Sequence, residues 1–329
     1  MNLIVLFLLI FYSSVTFSKE NTIIKPKDDF LIVNRSVLIG TNSQKARDNY
    51  NLGIKAFQKK DYKKAVIHYK EAIRLDPEYV EALDNCGLSF RKMGDLKSAE
   101  YYYQESIKVN PRTVAPHMNM AVIHSSRGEF EKALNDYQAI ININPNDPEG
   151  FYGIAHVFLL QKKYQKALEA SQKATGLYAL HNPELLNEAY FSIGRSYLGL
   201  NDKKNAKKWI KAAIKKGQVV DPQTLEKAGL FAELGLMEIR AGNKIKGSQL
   251  IHKACLEKDL DGCFLEGINY LEDNKLKEAG KLLKYVCDAG DLIGCYALSL
   301  VEDKKGNKKS AVKYLDKSCS GSEKFQWCK

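Results

Sequence analysis

Apolar and polar positions along residues 46–147 repeat with a constant stride of thirty-four residues, in three copies, 46–79, 80–113 and 114–147. In each copy a small residue (Gly53, Gly87, Ala121) is followed twelve positions later by another (Ala65, Ala99, Ala133). A tyrosine comes next (Tyr69, Tyr103, Tyr137), and a proline closes the copy (Pro77, Pro111, Pro145). Self-similarity at this period marks an array of supersecondary units. The pattern predicts two antiparallel helices per copy: small residues let them approach, and the tyrosine fills the space beside them. Proline stops the second helix, since it lacks an N–H and restricts the residue before it. Asp61-Tyr62, Gly94-Asp95-Leu96 and Gly128-Glu129-Phe130 supply the turn inside each pair and an apolar residue that re-enters the core.

Residues, spacing and proline together resemble the tetratricopeptide family, as in "NLGIKAFQKKDYKKAVIHYKEAIRLDP" and its two successors. The resemblance implies an all-α, right-handed superhelical solenoid of antiparallel helix pairs. It also implies that first helices line a concave groove and second helices form the outside.

After Asp147 the stride loosens. A fourth pair is expected at 148–181, with Ala155, Ala167 and Ala174 in the small columns, Phe158 and Tyr164 as filling, and its proline displaced to Pro183. A fifth spans 187–220, closed by Pro222, and a sixth runs from about 228 to 256 with Gly235, Gly247 and Ala254 in the columns. Both insertions should change the angle between pairs, near Asn182 and near Asp221.

From Cys255 the repeat carries cysteines. Cys255, Cys287 and Cys319 are thirty-two residues apart, as are Cys263 and Cys295, and Cys328 arrives one residue late. The first member of each pair falls at the end of a second helix and the other in the first turn of the next pair. Bridges Cys255–Cys263, Cys287–Cys295 and Cys319–Cys328 are therefore expected, provided the α-carbons come within about 7 Å. Each would replace the missing stop proline, and the last would pin the tail so that Phe325 and Trp327 cover the last helix. Zinc fits less well, because seven intervening residues exceed the usual ligand spacing and no histidine recurs with the pairs. This stretch, "KACLEKDLDGCFLEGINYLEDNKLKEAGKLLKYVCDAGDLIGCYALSL", resembles the cysteine-rich secreted proteins of the Sel-like subclass, which brings the expected total to about eight repeats. The resemblance implies one bridge per repeat in an oxidising compartment. Cys86, in an apolar column with Leu52 and Met120, reads as a buried free thiol.

Among 329 residues, 45% are hydrophobic and 27% charged, which argues against a membrane bundle and against wholesale disorder. Residues 3–11 form an uninterrupted apolar run, 12–17 stay uncharged, and Thr16-Phe17-Ser18 offers a cleavage point before Lys19. That reads as a secretory signal, although no Lys or Arg precedes the run; an uncleaved anchor is the alternative. Either way the repeats are expected outside the cytoplasm, periplasmic or secreted. The expected partition is signal or anchor at 1–18, an extended leader at 19–45, regular repeats at 46–181, degenerate repeats at 182–254, and stapled repeats with a cap at 255–329. The leader either covers the first helix or adds as an extended segment to a partner or to the protein's own groove.

A formal charge of +11 favours anionic surfaces and acidic proteins. Nucleic acid is disfavoured for an exported chain. No catalytic arrangement stands out: the histidines recur at no metal-ligand spacing, and S-x-x-K at 89–92 and 310–313 lacks its companion motifs. A non-enzyme without cofactor or metal is expected.

The informative constellation is the inner face of the first helices. Asn51, Asn85 and Asn119 stand one per copy, two positions before the first small column. They either form a ladder for the backbone of an extended peptide or tidy contacts between neighbouring helices. Tyr50, Ile54, Phe57, Leu88, Met118, Val122, Tyr152, His156 and Leu159 complete an apolar groove for a protein or peptide partner. Tyr50 and Ile54 occupy the places where a carboxylate clamp would want Lys and Asn, which disfavours a chain-terminus ligand. Lys203, Lys204, Lys207, Lys208, Lys211, Lys215 and Lys216 cover one helix with no acid among them, as a solvated face or a dock for anionic lipid or cell-wall polymer. The preferred reading is an extracytoplasmic adaptor; the runner-up is a binder of anionic surfaces, and an enzyme of the cell wall is a distant third.

Overall fold

The structure, a computed structural model, describes residues 40–320 and 325–328. The signal segment 1–18 and the leader as far as residue 39 lie outside the described residues. Those described are helical throughout, joined by short turns, and fall into two compact units that divide between Asn201 and Asp202.

In the first unit the helices are α1 (Gln44–Gln58), α2 (Tyr62–Leu75), α3 (Val80–Lys92), α4 (Leu96–Val109), α5 (Val114–Ser126), α6 (Phe130–Ile143), α7 (Pro148–Leu160), α8 (Tyr164–His181) and α9 (Leu186–Gly199). Each packs against the next in the chain. Turn chemistry sets the boundaries. Lys60, Gly94, Gly128 and Lys162 end the first helix of each pair in the left-handed region, and the Asp61 and Asp95 carboxylates then cap α2 and α4 by accepting from Lys64 N and Ser98 N. At the other end, Asp76, Asn110 and Asn144 are extended, as a residue before proline should be, and α2, α4 and α6 stop there. The insertion near Asn182 is a longer helix and a turn: α8 has 18 residues against 14 in α6, and a 3-10 turn at Pro183–Leu185 leads into α9.

Close approach within pairs rests on glycine. A Cβ on Gly53 would lie 2.5 Å from the Tyr69 ring, and one on Gly87 would lie 2.7 Å from that of Tyr103; both rings are fully buried. The third tyrosine departs from the pattern. Tyr137 remains in one core cluster with Ala121, but its ring lies over Gly153 of the following pair, where a Cβ would run into it. Ala121 already carries the methyl that Gly53 and Gly87 lack, so the free space is one helix further on.

The second unit contains α10 (Lys203–Lys215), α11 (Pro222–Ala228), α12 (Phe231–Arg240), α13 (Lys244–Leu256), α14 (Leu260–Glu272), α15 (Leu276–Asp288), α16 (Leu292–Lys304) and α17 (Lys308–Ser318), with a 3-10 turn at Gln326–Cys328. Pro222, expected to close a helix pair, instead opens α11. Asp221 caps it through Thr224 N, and proline at the first helical position gives up an N–H that would have no partner there. Gly229, at φ +70°, ends this extra helix. Helices α12 and α13 meet at two glycines, where a Cβ on Gly235 would come within 2.7 Å of the Gly247 carbonyl oxygen. Phe264, Ile251, Leu283, Val286, Val301 and their neighbours form one continuous core from α12 to α16. Among the described residues no helix is long and apolar enough to cross a membrane.

Candidate binding surfaces

The expected groove residues separate into two sets. Tyr50, Phe57, Asn85, Leu88, Asn119 and Leu159 are buried, so they build the stack and do not line an open groove. Tyr50 packs against the rings of Tyr69 and Tyr79, with centroids 5.7 and 4.9 Å away, and its hydroxyl oxygen accepts a 2.9 Å hydrogen bond from Asn85 Nδ2. Asn85 thus ties α3 to α1, because a carboxamide buried between helices needs a partner. The asparagine ladder is corrected accordingly: Asn51 is exposed, while Asn85 and Asn119 are interior. Phe57 meets Tyr62 edge-on at 5.2 Å. The second set, Ile54, Met118, Val122, Tyr152 and His156, is only partly covered. Burial, with the Arg195 charge adding to it, pushes His156 down to about 4, so its imidazole is neutral at pH 7.

Charged groups in this unit reach further inside than the sequence reading foresaw. His124 is buried, with Nδ1 2.6 Å from Asp136 Oδ2 and Nε2 3.2 Å from Glu100 Oε1; Arg127 donates to Glu100 Oε2 at 2.7 Å. The group joins α4, α5 and α6. On α3, Asp84 and Glu81 are also buried, and burial, reinforced by the Glu81 charge, pushes Asp84 up to about 7. A glutamate and an aspartate in the first turns of α3 look like ordinary helix-start residues, so nothing local marked them as interior.

In the second unit the three cysteine pairs are bonded: Cys255–Cys263, Cys287–Cys295 and Cys319–Cys328, with α-carbons 4.3, 4.4 and 5.6 Å apart. The first two join the last turn of α13 to the first turn of α14, and that of α15 to that of α16. Lys258 and Gly290, both at positive φ, make the turns where the first copies have proline. Trp327 stacks between Tyr296 and Phe325 at 4.3 and 4.5 Å and donates to Ser318 Oγ, so the bridged tail lies over α16 and α17. Cys86 is a buried free thiol, pushed up to about 12 by burial.

The lysine stripe on α10 is corrected by the same geometry. Lys207 and Lys211 do not face solvent with the others. Lys207 Nζ is 2.5 Å from Asp259 Oδ2, and Lys211 pairs with Asp259 at 3.1 Å, with Asp261, and with Glu233 at 3.6 Å. Burial pulls the Lys211 ammonium down, but the three carboxylates outweigh it and hold it above the usual lysine range. Burial likewise works against the Asp259 carboxylate, and Lys211 and Lys207 outweigh it and hold it low. Asp259 also caps α14 through Asp261 N and Gly262 N. The acids come from α12 and from the loop closed by Cys255–Cys263, remote in sequence, so a reading of α10 alone could not see them. Lys203, Lys204, Lys208, Lys215 and Lys216 remain exposed. No cluster of three or more His, Cys, Asp or Glu that could hold a metal ion occurs among the described residues.

The family described as "TPR repeat" matches residues 55–94 and 123–162, and that described as "Tetratricopeptide repeat" matches 80–113 and 188–215. No curated protein matches the chain. Similar solved structures include PilF of Pseudomonas aeruginosa, 16% identical over 64% of this chain and 90% of that one, with a TM-score of 0.50. PilW, described as a widely conserved type IV pilus biogenesis factor, is 12% identical over 64% of this chain and 93% of that one, also at 0.50. A tetratricopeptide repeat protein from Parabacteroides merdae is 18% identical over 84% of this chain and 100% of that one, at 0.49. At such identities the likeness is one of fold alone. The chain therefore carries tetratricopeptide repeats over residues 55–113, 123–162 and 188–215, and such repeats indicate a protein–protein interaction scaffold.

Proposed function

We propose that this scaffold works outside the cytoplasm and holds a peptide segment of an envelope or secreted protein against the inner face of its first four helix pairs. The observation that carries the reading is a partly exposed set of first-helix residues, Ile54 on α1, Met118 and Val122 on α5, and Tyr152 and His156 on α7, with Asn51 exposed on α1. Partly exposed side chains at these first-helix positions leave apolar surface that gains by being covered. Three disulfides in the second unit support the location, because such bonds persist in oxidising compartments. They also support reading that part as Sel-like. Recognition would be chiefly apolar, since two of the three asparagines are interior. The test is capture of an envelope or secreted partner by the wild-type chain and by Met118→Glu with Val122→Glu, with helicity checked by circular dichroism. Loss of capture with helicity kept is expected, and unchanged capture would refute the inner face.

The exposed lysines of α10 support a second reading, attachment to anionic lipid or cell-wall polymer. It rests on Lys203, Lys204, Lys208, Lys215 and Lys216, since Lys207 and Lys211 are already paired.

A further inference from the structure

A cleft of 860 Å³ lies among α6, α7 and α8, and none of Ile54, Met118, Val122, Tyr152 and His156 lines it. Ile141 of α6 and Phe151, Ile154 and Phe158 of α7 make its apolar lining, all partly exposed. Gly150 lets α7 come close to α6 here, since a Cβ on it would lie 2.6 Å from Ile141 Cγ1. Along the α8 wall two lysines flank this lining. Lys166 Nζ sits 5.7 Å from the Phe158 ring centroid, and Lys173 Nζ sits 5.6 Å from that of Phe151. The lysines are seven residues apart, as are the two phenylalanines, so one arrangement occurs twice, about 10 Å apart along two helical turns. Neither lysine has a carboxylate partner among the described residues; each rests on a ring face instead. The acid between them, Glu169, accepts from Gln165 Nε2 at 3.3 Å, and the α6 wall contributes Gln138, whose amide donates to Asn142.

We propose that this cleft is a second docking surface, and that it takes an acidic segment of a partner protein in which two carboxylates about 10 Å apart bracket a large apolar side chain. The apolar side chain covers Ile141, Ile154 and the two rings. The carboxylates draw Lys166 and Lys173 off the rings into charge-assisted hydrogen bonds, stronger than the cation–π contacts they replace. A basic segment would meet two unpaired ammonium groups and only one carboxylate, already hydrogen-bonded. With an inner face and this cleft in one unit, the scaffold can hold two partners together.

The test is selection of a phage-displayed random dodecapeptide library on the full-length oxidised chain, followed by fluorescence anisotropy of the labelled winners. The proposal expects winners with paired Asp or Glu around Leu, Ile, Phe or Met. Lys166→Glu with Lys173→Glu should weaken them at least tenfold, and the charge-matched control Lys63→Glu with Lys97→Glu less than twofold. Both pairs are exposed, so neither endangers folding. Winners without acids, or indifferent to the first pair, overturn the cleft. If those winners are instead weakened by Met118→Glu with Val122→Glu, the inner-face function stands and only the cleft falls. A library that yields no binder overturns both.

Discussion

His124 Nδ1 and Asp136 Oδ2 are 2.6 Å apart, twelve positions along the chain, the offset that also separates Gly53 from Ala65 and Gly87 from Ala99. Positions twelve apart face each other across a helix pair, so a polar pair at that offset lands inside the stack. Replacing His124 by leucine would leave buried Asp136 and half-buried Glu100 without it, and breaking a buried pair costs about 3–5 kcal/mol. Arg127 still holds Glu100, so about 2–3 kcal/mol is expected in urea unfolding. Adding Asp136→Leu should recover part of that loss, since an apolar pair of similar volume leaves no charge behind. Strictly additive losses in a double-mutant cycle would show that the two side chains do not act together.

Asp84 makes stability depend on pH in an unusual direction. Its folded value, about 7, lies above the 3.8 of a free aspartate, so the folded state binds the proton more tightly. The contribution is fully present below about pH 4 and is lost as pH rises toward 7, by up to roughly 4 kcal/mol at 1.36 kcal/mol per unit. Asp84→Asn, which cannot ionise, should therefore raise Tm at pH 8 and change it little at pH 4. An equal shift at both values would exclude an ionising Asp84.

The second unit should respond oppositely through Asp259. Its folded carboxylate is held low, so that stability is present above the unfolded value and is lost as pH falls through the folded one. Lys211→Met should cost about 2 kcal/mol at pH 7, because Asp259 and Glu233 lose their main counter-charge, and Asp259 should then titrate higher by NMR. Lys208→Met, on the exposed side of α10, should stay within about 0.5 kcal/mol. Equal effects would mean that the stripe is a uniform solvated face.

Removing one bridge tests the stapled connections. Cys287→Ser with Cys295→Ser opens a loop of sequence separation 8, and the chain-entropy estimate gives a loss of about 2.5 kcal/mol. Cys86→Ala should leave the oxidised protein's mass map unchanged. Non-reducing peptide mapping that finds Cys255 joined to Cys287 would contradict the local pairing.

Much of this fold is legible because the repeat period and the helix-pair turns are local. Asp61, Asp95, Pro77 and Pro111 act through their own neighbours, and the cysteines the structure joins lie only eight or nine residues apart, across one helix-pair connection. What escaped the sequence depends on distant partners. Leu88 and Asn85 occupy groove positions by family register, yet contacts between pairs bury them. Lys211 looks like its neighbours until Asp259, forty-eight residues away, is brought beside it. The extra helix α11 escaped because Pro222 can either follow a helix or begin one.

The working surface is tested most directly by site-specific photo-crosslinking. A benzophenone amino acid placed at Met118 or Val122, and at exposed Lys97 as a control, is activated in the native envelope fraction and the adducts are identified by mass spectrometry. The account predicts one envelope or secreted protein joined at both inner-face positions through a single peptide segment and absent from the control. Adducts at Lys97 alone, or cytoplasmic proteins at all three positions, would contradict it.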